Sequence, residues 1–161
     1  MFFWFIGTSI VTVRFVFQDP RFDYRLLVVG ALLPLVDLLF GRIDVLHTLV
    51  CSLLLLAIAM LATLGRRPAR ALLLGLPIGM LLHLVFDGVW TDTDLFWWPA
   101  GGWSFAGVEL PEEERGLWNV PLELAGLAIL VWVWRSSGLS RPSRRHRFWR
   151  SGRLFERSRA L

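Results

Sequence analysis

Long apolar runs alternate with short polar segments along the chain, and each run is close to the length of a membrane-crossing helix. A transmembrane helix needs about 20 predominantly apolar residues, and shorter runs suffice when aromatic and arginine residues flank them. The pattern predicts an all-α polytopic membrane helix bundle of about five transmembrane helices. These predicted spans are residues 2–17, 22–40, 45–64, 71–90 and 118–134.

Charged residues between the runs predict the orientation of this bundle. Arginines in short loops stay on the cytoplasmic side of the membrane. Segment 65–70 and the carboxyl-terminal segment are rich in Arg, whereas segment 91–117 carries six acidic residues and a single base, Arg115. We therefore predict a transmembrane bundle over residues 1–135 with its N-terminus out and its C-terminus in. Segment 91–117 becomes an extracytoplasmic loop, and residues 136–161 become a basic cytoplasmic tail.

The overall composition agrees with a small multi-pass membrane protein. Hydrophobic residues make up 55% of the 161 positions and nine are Trp, which is too apolar for a soluble domain of this length. The single cysteine, Cys51, excludes an intrachain disulfide. Because no basic residue precedes or interrupts the apolar stretch MFFWFIGTSIVTV, and Arg14 comes directly after it, we expect no cleaved signal peptide.

The basic tail predicts the partners of the chain. Nine of the seventeen Arg lie between residues 135 and 161, where Glu156 is the only acid. A basic tail beside hydrophobic spans predicts contact with membrane lipids, in particular those of the anionic cytoplasmic leaflet. Nucleic acid is not the expected partner, because no groove-reading motif accompanies the charge. We expect the tail to be flexible or to lie on the membrane surface through Leu154, Phe155 and neighbouring aromatic residues.

Ionisable residues fall in the outer halves of the predicted spans. An Asp or a basic residue at mid-helix costs about 2.5 to 3.5 kcal/mol on insertion scales, so such residues usually face the protein interior and mark a functional site. Because they all lie on one side of the membrane, we expect their side chains to converge. The set is Asp37, His47, His83, Asp87 and Glu123.

Two members of this set share one face of the fourth predicted span. His83 and Asp87 are four residues apart, and residues at this spacing are neighbours on a helix surface. The same face continues through Gly79 and Gly75, a small-xxx-small spacing that lets a second helix backbone approach closely. We therefore predict that this face contacts another helix and not lipid.

The residue types in this set are those that bind divalent metal ions. Imidazole and carboxylate groups suit zinc, and a mixed set also suits manganese or iron. We predict Asp37, His47, His83 and Asp87 as metal ligands and Glu123 as general base or further ligand. Glu123 and Asp87 are the candidate catalytic residues. A bound zinc ion lowers the pKa of its water to about 7, giving a hydroxide that can attack an ester or phosphoester.

Three stretches of the chain resemble a known family. They are GALLPLVD at 30–37, LHTLVCSLLLL at 46–56, and HLVFDGVWTDTDLFWWP at 83–99. They resemble the bacterial inner-membrane metal-dependent hydrolase family, the LexA-regulated membrane-bound group. That family has a G-x-L-P-D-x-D motif at the end of one span, T-H-S at the start of the next, and H-x-x-x-D followed by W-P.

The resemblance implies a role for each matching residue. Asp37 corresponds to the second Asp of the first motif, His47 and Thr48 correspond to the His and Ser of the second, and His83 and Asp87 correspond to the third. The fold and activity implied are those of a membrane-bound metal-dependent hydrolase.

The chain also departs from the pattern of that family. Leu35 stands where the first Asp of the first motif is expected, and no His precedes His47, although a His-Arg pair precedes T-H-S in the family. The resemblance therefore implies a reduced site, for one ion or for none. Glu123 is our candidate for an acid that compensates for the missing first Asp of the motif.

Two other classes of function stay open at this point. A non-catalytic membrane scaffold or partner subunit would use the same polar cluster as a buried hydrogen-bond network. A proton or metal-ion conduit would place ionisable groups on both sides of the bilayer. The inner halves of the predicted spans offer only Arg14 and, at the start of the second span, Asp23 and Arg25.

Overall fold

Helices and turns make up the part of the chain that the computed structural model describes, with no strand there. Residues 1–19, 22–39, 45–100, 102–103 and 110–155 are described. Arg21, Glu156, the predicted end of the second span at Phe40 and part of the predicted loop and tail lie outside them. The described α-helices are α1 Phe2–Val16, α2 Tyr24–Leu32, α3 Val36–Leu39, α4 Leu49–Ala62, α5 Arg67–Leu73, α6 Gly75–Asp87, α7 Thr93–Phe96, α8 Pro111–Glu114, α9 Asn119–Ser136 and α10 Pro142–Ser151. The all-α prediction is confirmed for these residues.

Short 3-10 segments lead from one helix into the next. Leu33–Leu35 joins α2 to α3 at Pro34, which lacks the backbone donor that a continuous α-helix uses. Val45–His47 precedes α4, and Gly116–Trp118 precedes α9. The second predicted span is therefore helical but interrupted at its proline.

Two helical stretches in the described residues are long and apolar enough to cross a membrane, by length and composition alone. They are Arg67–Asp87 and Gly116–Ser136, each of 21 residues, with mean hydropathy of 1.9 and 1.6. Phe2–Val16, Tyr24–Leu35 and Leu49–Ala62 are apolar but shorter.

Helices α2 and α6 pack backbone against backbone through glycines. A Cβ atom added at Gly30 would overlap the carbonyl oxygen of Leu76, and one added at Gly79 would overlap that of Leu27. Gly75 and Gly79 are both buried. The predicted contact of this face with another helix is confirmed, and the neighbouring helix is α2.

Helices α1 and α9 pack in the same way, again through glycines. A Cβ atom added at Gly126 would overlap the backbone nitrogen of Trp4, and one added at Gly7 would come within 3.1 Å of the Gly126 carbonyl oxygen. This close approach brings the second turn of α9 beside the first turn of α1.

The tail returns to the bundle after α10. The backbone N–H of Tyr24 donates to the Gly152 carbonyl at 2.9 Å, and the Arg25 guanidinium donates to the Trp149 carbonyl at 2.7 Å. Leu154 is buried in the main hydrophobic core. This differs from the expected flexible or surface-lying tail, because the apolar side chain of Leu154 packs against core residues and not against lipid.

Replacing Gly79 with Ala tests the close approach of α2 and α6. The added methyl group meets backbone atoms that cannot move independently, so we expect a loss of about 1–3 kcal/mol in the free energy of unfolding. The measurement is the thermal unfolding midpoint of the detergent-purified protein. Ala57→Leu, which adds a larger group on an exposed face of α4, is the control; equal midpoints for both variants would contradict the glycine contact.

Candidate metal centre

His83 lies in α6 with one ring nitrogen bonded and the other facing the interior. Its Nδ1 lies 2.7 Å from the carbonyl oxygen of Ala31. Because a carbonyl can only accept, Nδ1 carries the proton and Nε2 carries a lone pair. Nε2 is buried and has no hydrogen-bond partner among the described residues. The ring packs against Phe5, with 3.8 Å between ring centroids. The close packing of α2 on α6 thus fixes the tautomer of His83.

His47 has the same arrangement but comes from a different kind of element. It ends the 3-10 turn Val45–His47, directly before α4. Its Nδ1 lies 3.1 Å from Asp37 Oδ2, and the same carboxylate oxygen accepts the Leu46 N–H at 2.8 Å. A carboxylate at Nδ1 favours the tautomer with the proton on that nitrogen. In the neutral ring with that tautomer, the buried Nε2 atom presents a lone pair, and no described residue bonds to it.

Asp87 is the last residue of α6 and is completely buried. The helix ends at Gly88, whose φ of +77° lies in the left-handed region that favours glycine at this position. Arg115 reaches the same point from the segment before α9. Its Nη2 donates to Asp87 Oδ1 at 2.5 Å, and its Nη1 donates to the Asp87 carbonyl at 2.7 Å. One guanidinium group thus holds both the side chain and the end of the helix.

These three side chains form a group that can hold a metal ion. The ligand atoms of His47, His83 and Asp87 all lie within 4.8 Å of one another, and all three residues are buried. Ligand atoms lie about 2 Å from a zinc ion, so a small movement of the side chains brings them to bonding distance of one ion. The rings of His47 and His83 are inclined at 72°, with their centroids 5.4 Å apart.

Asp37 stands behind His47 and outside this group of three. It bonds to Nδ1, the ring nitrogen that is not available to a metal, whereas the sequence predicted a ligand at this position. A carboxylate in this position orients a metal-binding histidine and makes it more basic. The structure therefore gives Asp37 a positioning contact that the sequence prediction did not include.

Glu123 is not a member of this group. Its Oε2 accepts the backbone N–H of Phe3 at 2.8 Å, in the first turn of α1. A carboxylate at that end of a helix is favoured by the helix dipole. The sequence predicted Glu123 as general base or further ligand; in the structure its carboxylate caps the first turn of α1.

Arg115 is the site residue that the sequence prediction missed. It is the single base in a segment of six acids, and that isolation is the signal that could have singled it out. Its position against Asp87 depends on how the segment before α9 folds over the end of α6.

Replacing Arg115 with Met removes the guanidinium from Asp87. Loss of one partner of a buried ion pair leaves a poorly compensated charge, and the 26% exposure of the Arg115 side chain reduces the cost to about 2 kcal/mol. We expect a lower thermal unfolding midpoint in chelator and a smaller decrease in zinc, because a bound cation would compensate Asp87. Arg145→Met, at an exposed position of α10, is the control. The same decrease in chelator and in zinc would contradict a cation beside Asp87.

Comparison of the chain with protein-family models, with curated proteins and with solved structures finds no match. The resemblance of residues 30–99 to metal-dependent hydrolases stays a prediction.

Proposed function

We propose that this chain is a membrane-bound metal-dependent hydrolase that acts on an ester or phosphoester of a lipid or envelope-linked substrate. One observation carries the proposal. His47 and His83 are buried, each has its Nδ1 engaged, and neither Nε2 bonds to another described residue. Both imidazoles are therefore arranged as ligands beside the carboxylate of Asp87.

The buried lone pairs favour a metal site over a purely structural network. A buried polar atom without a partner costs about 1–3 kcal/mol, and a scaffold would avoid this cost by pairing both ring nitrogens. In this centre the cost falls on two neighbouring atoms, Nε2 of His47 and Nε2 of His83. Coordination of a cation would give both nitrogen atoms a partner.

Zinc is the ion that this ligand set suits best for hydrolysis. Two imidazoles and one carboxylate leave a fourth position open for water, as in catalytic zinc sites, and the same set also suits iron or manganese. When bound, zinc supplies a water of lowered pKa as the nucleophile. The residues of the chain hold the ligands in place: Asp37 at His47 and the Ala31 carbonyl at His83.

We propose a five-span arrangement in the bacterial inner membrane, with the metal centre toward the extracytoplasmic leaflet. In this arrangement α1, α2 with α3, and α4 span the membrane together with the two longer stretches. The contact from Arg115 to Asp87 supports the location, since it joins the centre to the acidic segment 91–117. The basic segment 65–70 and the tail support a cytoplasmic position for the opposite end.

Metal content of the purified protein tests this proposal directly. We expect about one equivalent of zinc per chain, because three ligands and a water complete one tetrahedral site. His47→Ala and His83→Ala should each lose the ion, whereas Glu123→Gln and His146→Ala should retain it. Inductively coupled plasma mass spectrometry gives the metal content, and gel filtration checks that each variant is folded.

The same variants test the reaction. Zinc-loaded protein should release the fluorophore from a fluorogenic lipid ester or phosphoester, His83→Ala should not, and Glu123→Gln should keep the activity. Metal-free wild-type protein that is equally stable in chelator and in zinc would refute the metal centre. A zinc-bound protein that cleaves neither substrate class would refute the hydrolase alone.

Asp37→Asn separates a positioning role from a ligand role. If Asp37 orients His47, its loss should weaken zinc binding by about 10–100-fold and leave the site in place. Competition with a chromophoric chelator measures the affinity, and Asp94→Asn at an exposed position of α7 is the matched control. Complete loss of zinc would indicate that Asp37 is a ligand, and unchanged affinity would exclude both roles.

A further inference from the structure

A polar cavity of about 640 Å³ opens where α9 meets α10, at the opposite end of α9 from Glu123. Four arginines and four serines line it, together with Gly138, and no acidic side chain belongs to this lining within the described residues. The arginines are Arg135, Arg141, Arg144 and Arg147.

The turn between the two helices fixes the shape of this cavity. Gly138 adopts a φ of +69°, which lets the chain reverse directly after α9. The Arg141 N–H then donates to the Gly138 carbonyl at 3.1 Å, and Pro142 begins α10. Arg144 donates from Nε and Nη2 to the Ser137 carbonyl, at 3.1 and 2.8 Å. These bonds hold the start of α10 against the end of α9.

The far end of α10 is also held. The Tyr24 N–H donates to the Gly152 carbonyl, Arg25 donates to the Trp149 carbonyl, and Leu154 is buried in the core. Both ends of the helix are therefore attached to the bundle. The cavity is preformed, so a ligand does not have to order a flexible tail before it binds.

The charge of the cavity specifies the class of ligand. The described lining of the cavity holds four arginines and no acidic side chain. A concave surface lined by one sign of charge raises the local concentration of ions of the opposite sign. Guanidinium groups match the geometry of phosphate oxygens and bind them with paired hydrogen bonds.

The serines and the start of α10 add further hydrogen-bond donors for phosphate oxygens. Ser140 and Ser143 are exposed at the rim, where their hydroxyl groups can donate to phosphate oxygens. The first turn of the ten-residue helix α10 faces the same space, with a backbone polarity that favours anions. Guanidinium, hydroxyl and backbone donors thus surround one cavity.

We propose that this cavity is a binding site for a phosphate group, carried either by an anionic lipid headgroup or by a soluble phosphate compound. The proposal goes beyond a general attraction of the basic tail to an anionic leaflet, because it assigns the binding to one side of α10. Arg145 and Arg150 lie on the same helix and do not line the cavity. The proposal is independent of the metal centre.

Two titrations of the full-length protein in detergent identify the source of the phosphate. Isothermal titration with inorganic phosphate, against chloride at equal ionic strength, tests soluble compounds. Native mass spectrometry with phosphatidic acid and phosphatidylglycerol tests lipids, since the first exposes a terminal phosphate and the second a diester. Binding of inorganic phosphate assigns a soluble source, and a preference for phosphatidic acid without phosphate binding assigns a headgroup. Either result supports the site.

Matched double variants test where the phosphate binds. Arg135→Gln with Arg141→Gln should weaken binding by at least about tenfold, because both guanidinium groups line the cavity. Arg145→Gln with Arg150→Gln removes the same charge outside the cavity and should change binding by less than about twofold. Equal losses in the two variants would overturn the proposal in favour of diffuse charge. The absence of phosphate binding together with equal binding of the two lipids would also overturn it.

A single variant tests the same cavity in case the double variant does not fold. Ser143→Glu adds a carboxylate to the cavity and keeps every arginine, and an acid in the first turn of a helix is favourable. We expect an unchanged thermal unfolding midpoint and loss of phosphate binding. Retained binding in a folded Ser143→Glu protein would overturn the proposal.

Discussion

The metal centre depends on the close approach of α2 and α6. Gly30 and Gly79 leave no side chain between the two backbones, and the carbonyl of Ala31 therefore reaches His83 Nδ1 at 2.7 Å. This one bond sets the tautomer of His83 and turns its Nε2 toward the interior. A larger residue at either glycine would separate the helices, and the loss of that carbonyl would release the ring. Helix packing thus decides the chemistry that His83 can perform.

Two carboxylates lie at the centre. Within the described residues, Asp87 pairs with the Arg115 guanidinium and Asp37 contacts the His47 ring. Electrostatic interactions are weakly screened in a buried space, so both carboxylates would attract a divalent ion bound between the imidazoles. Asp87 would act as a ligand, and Asp37 would act through the ring of His47.

Helical periodicity predicted those parts of the fold and site that lie within one helix. The shared face of His83 and Asp87, and the glycines that continue it, follow from a spacing of four residues. The pairing of Asp37 with His47 crosses an irregular connection, where no period applies, and Asp37 was accordingly predicted as a ligand. Glu123 was predicted as a base or further ligand, whereas its carboxylate accepts a hydrogen bond from Phe3 in α1, because sequence does not specify that α9 packs against α1.

The position of the tail is another contact between separate segments that sequence periodicity does not predict. Leu154 lies in a basic segment, and only the folded chain reveals that it packs into the core beside the start of α2. Tyr24 and Arg25 hold the tail at one end of α2, whereas Ala31 holds His83 at the other. A shift of the tail could disturb the metal centre only by moving α2 along α6. The backbone contacts at Gly30 and Gly79 oppose that movement, so the cavity at α10 and the centre at α6 should bind their ligands independently.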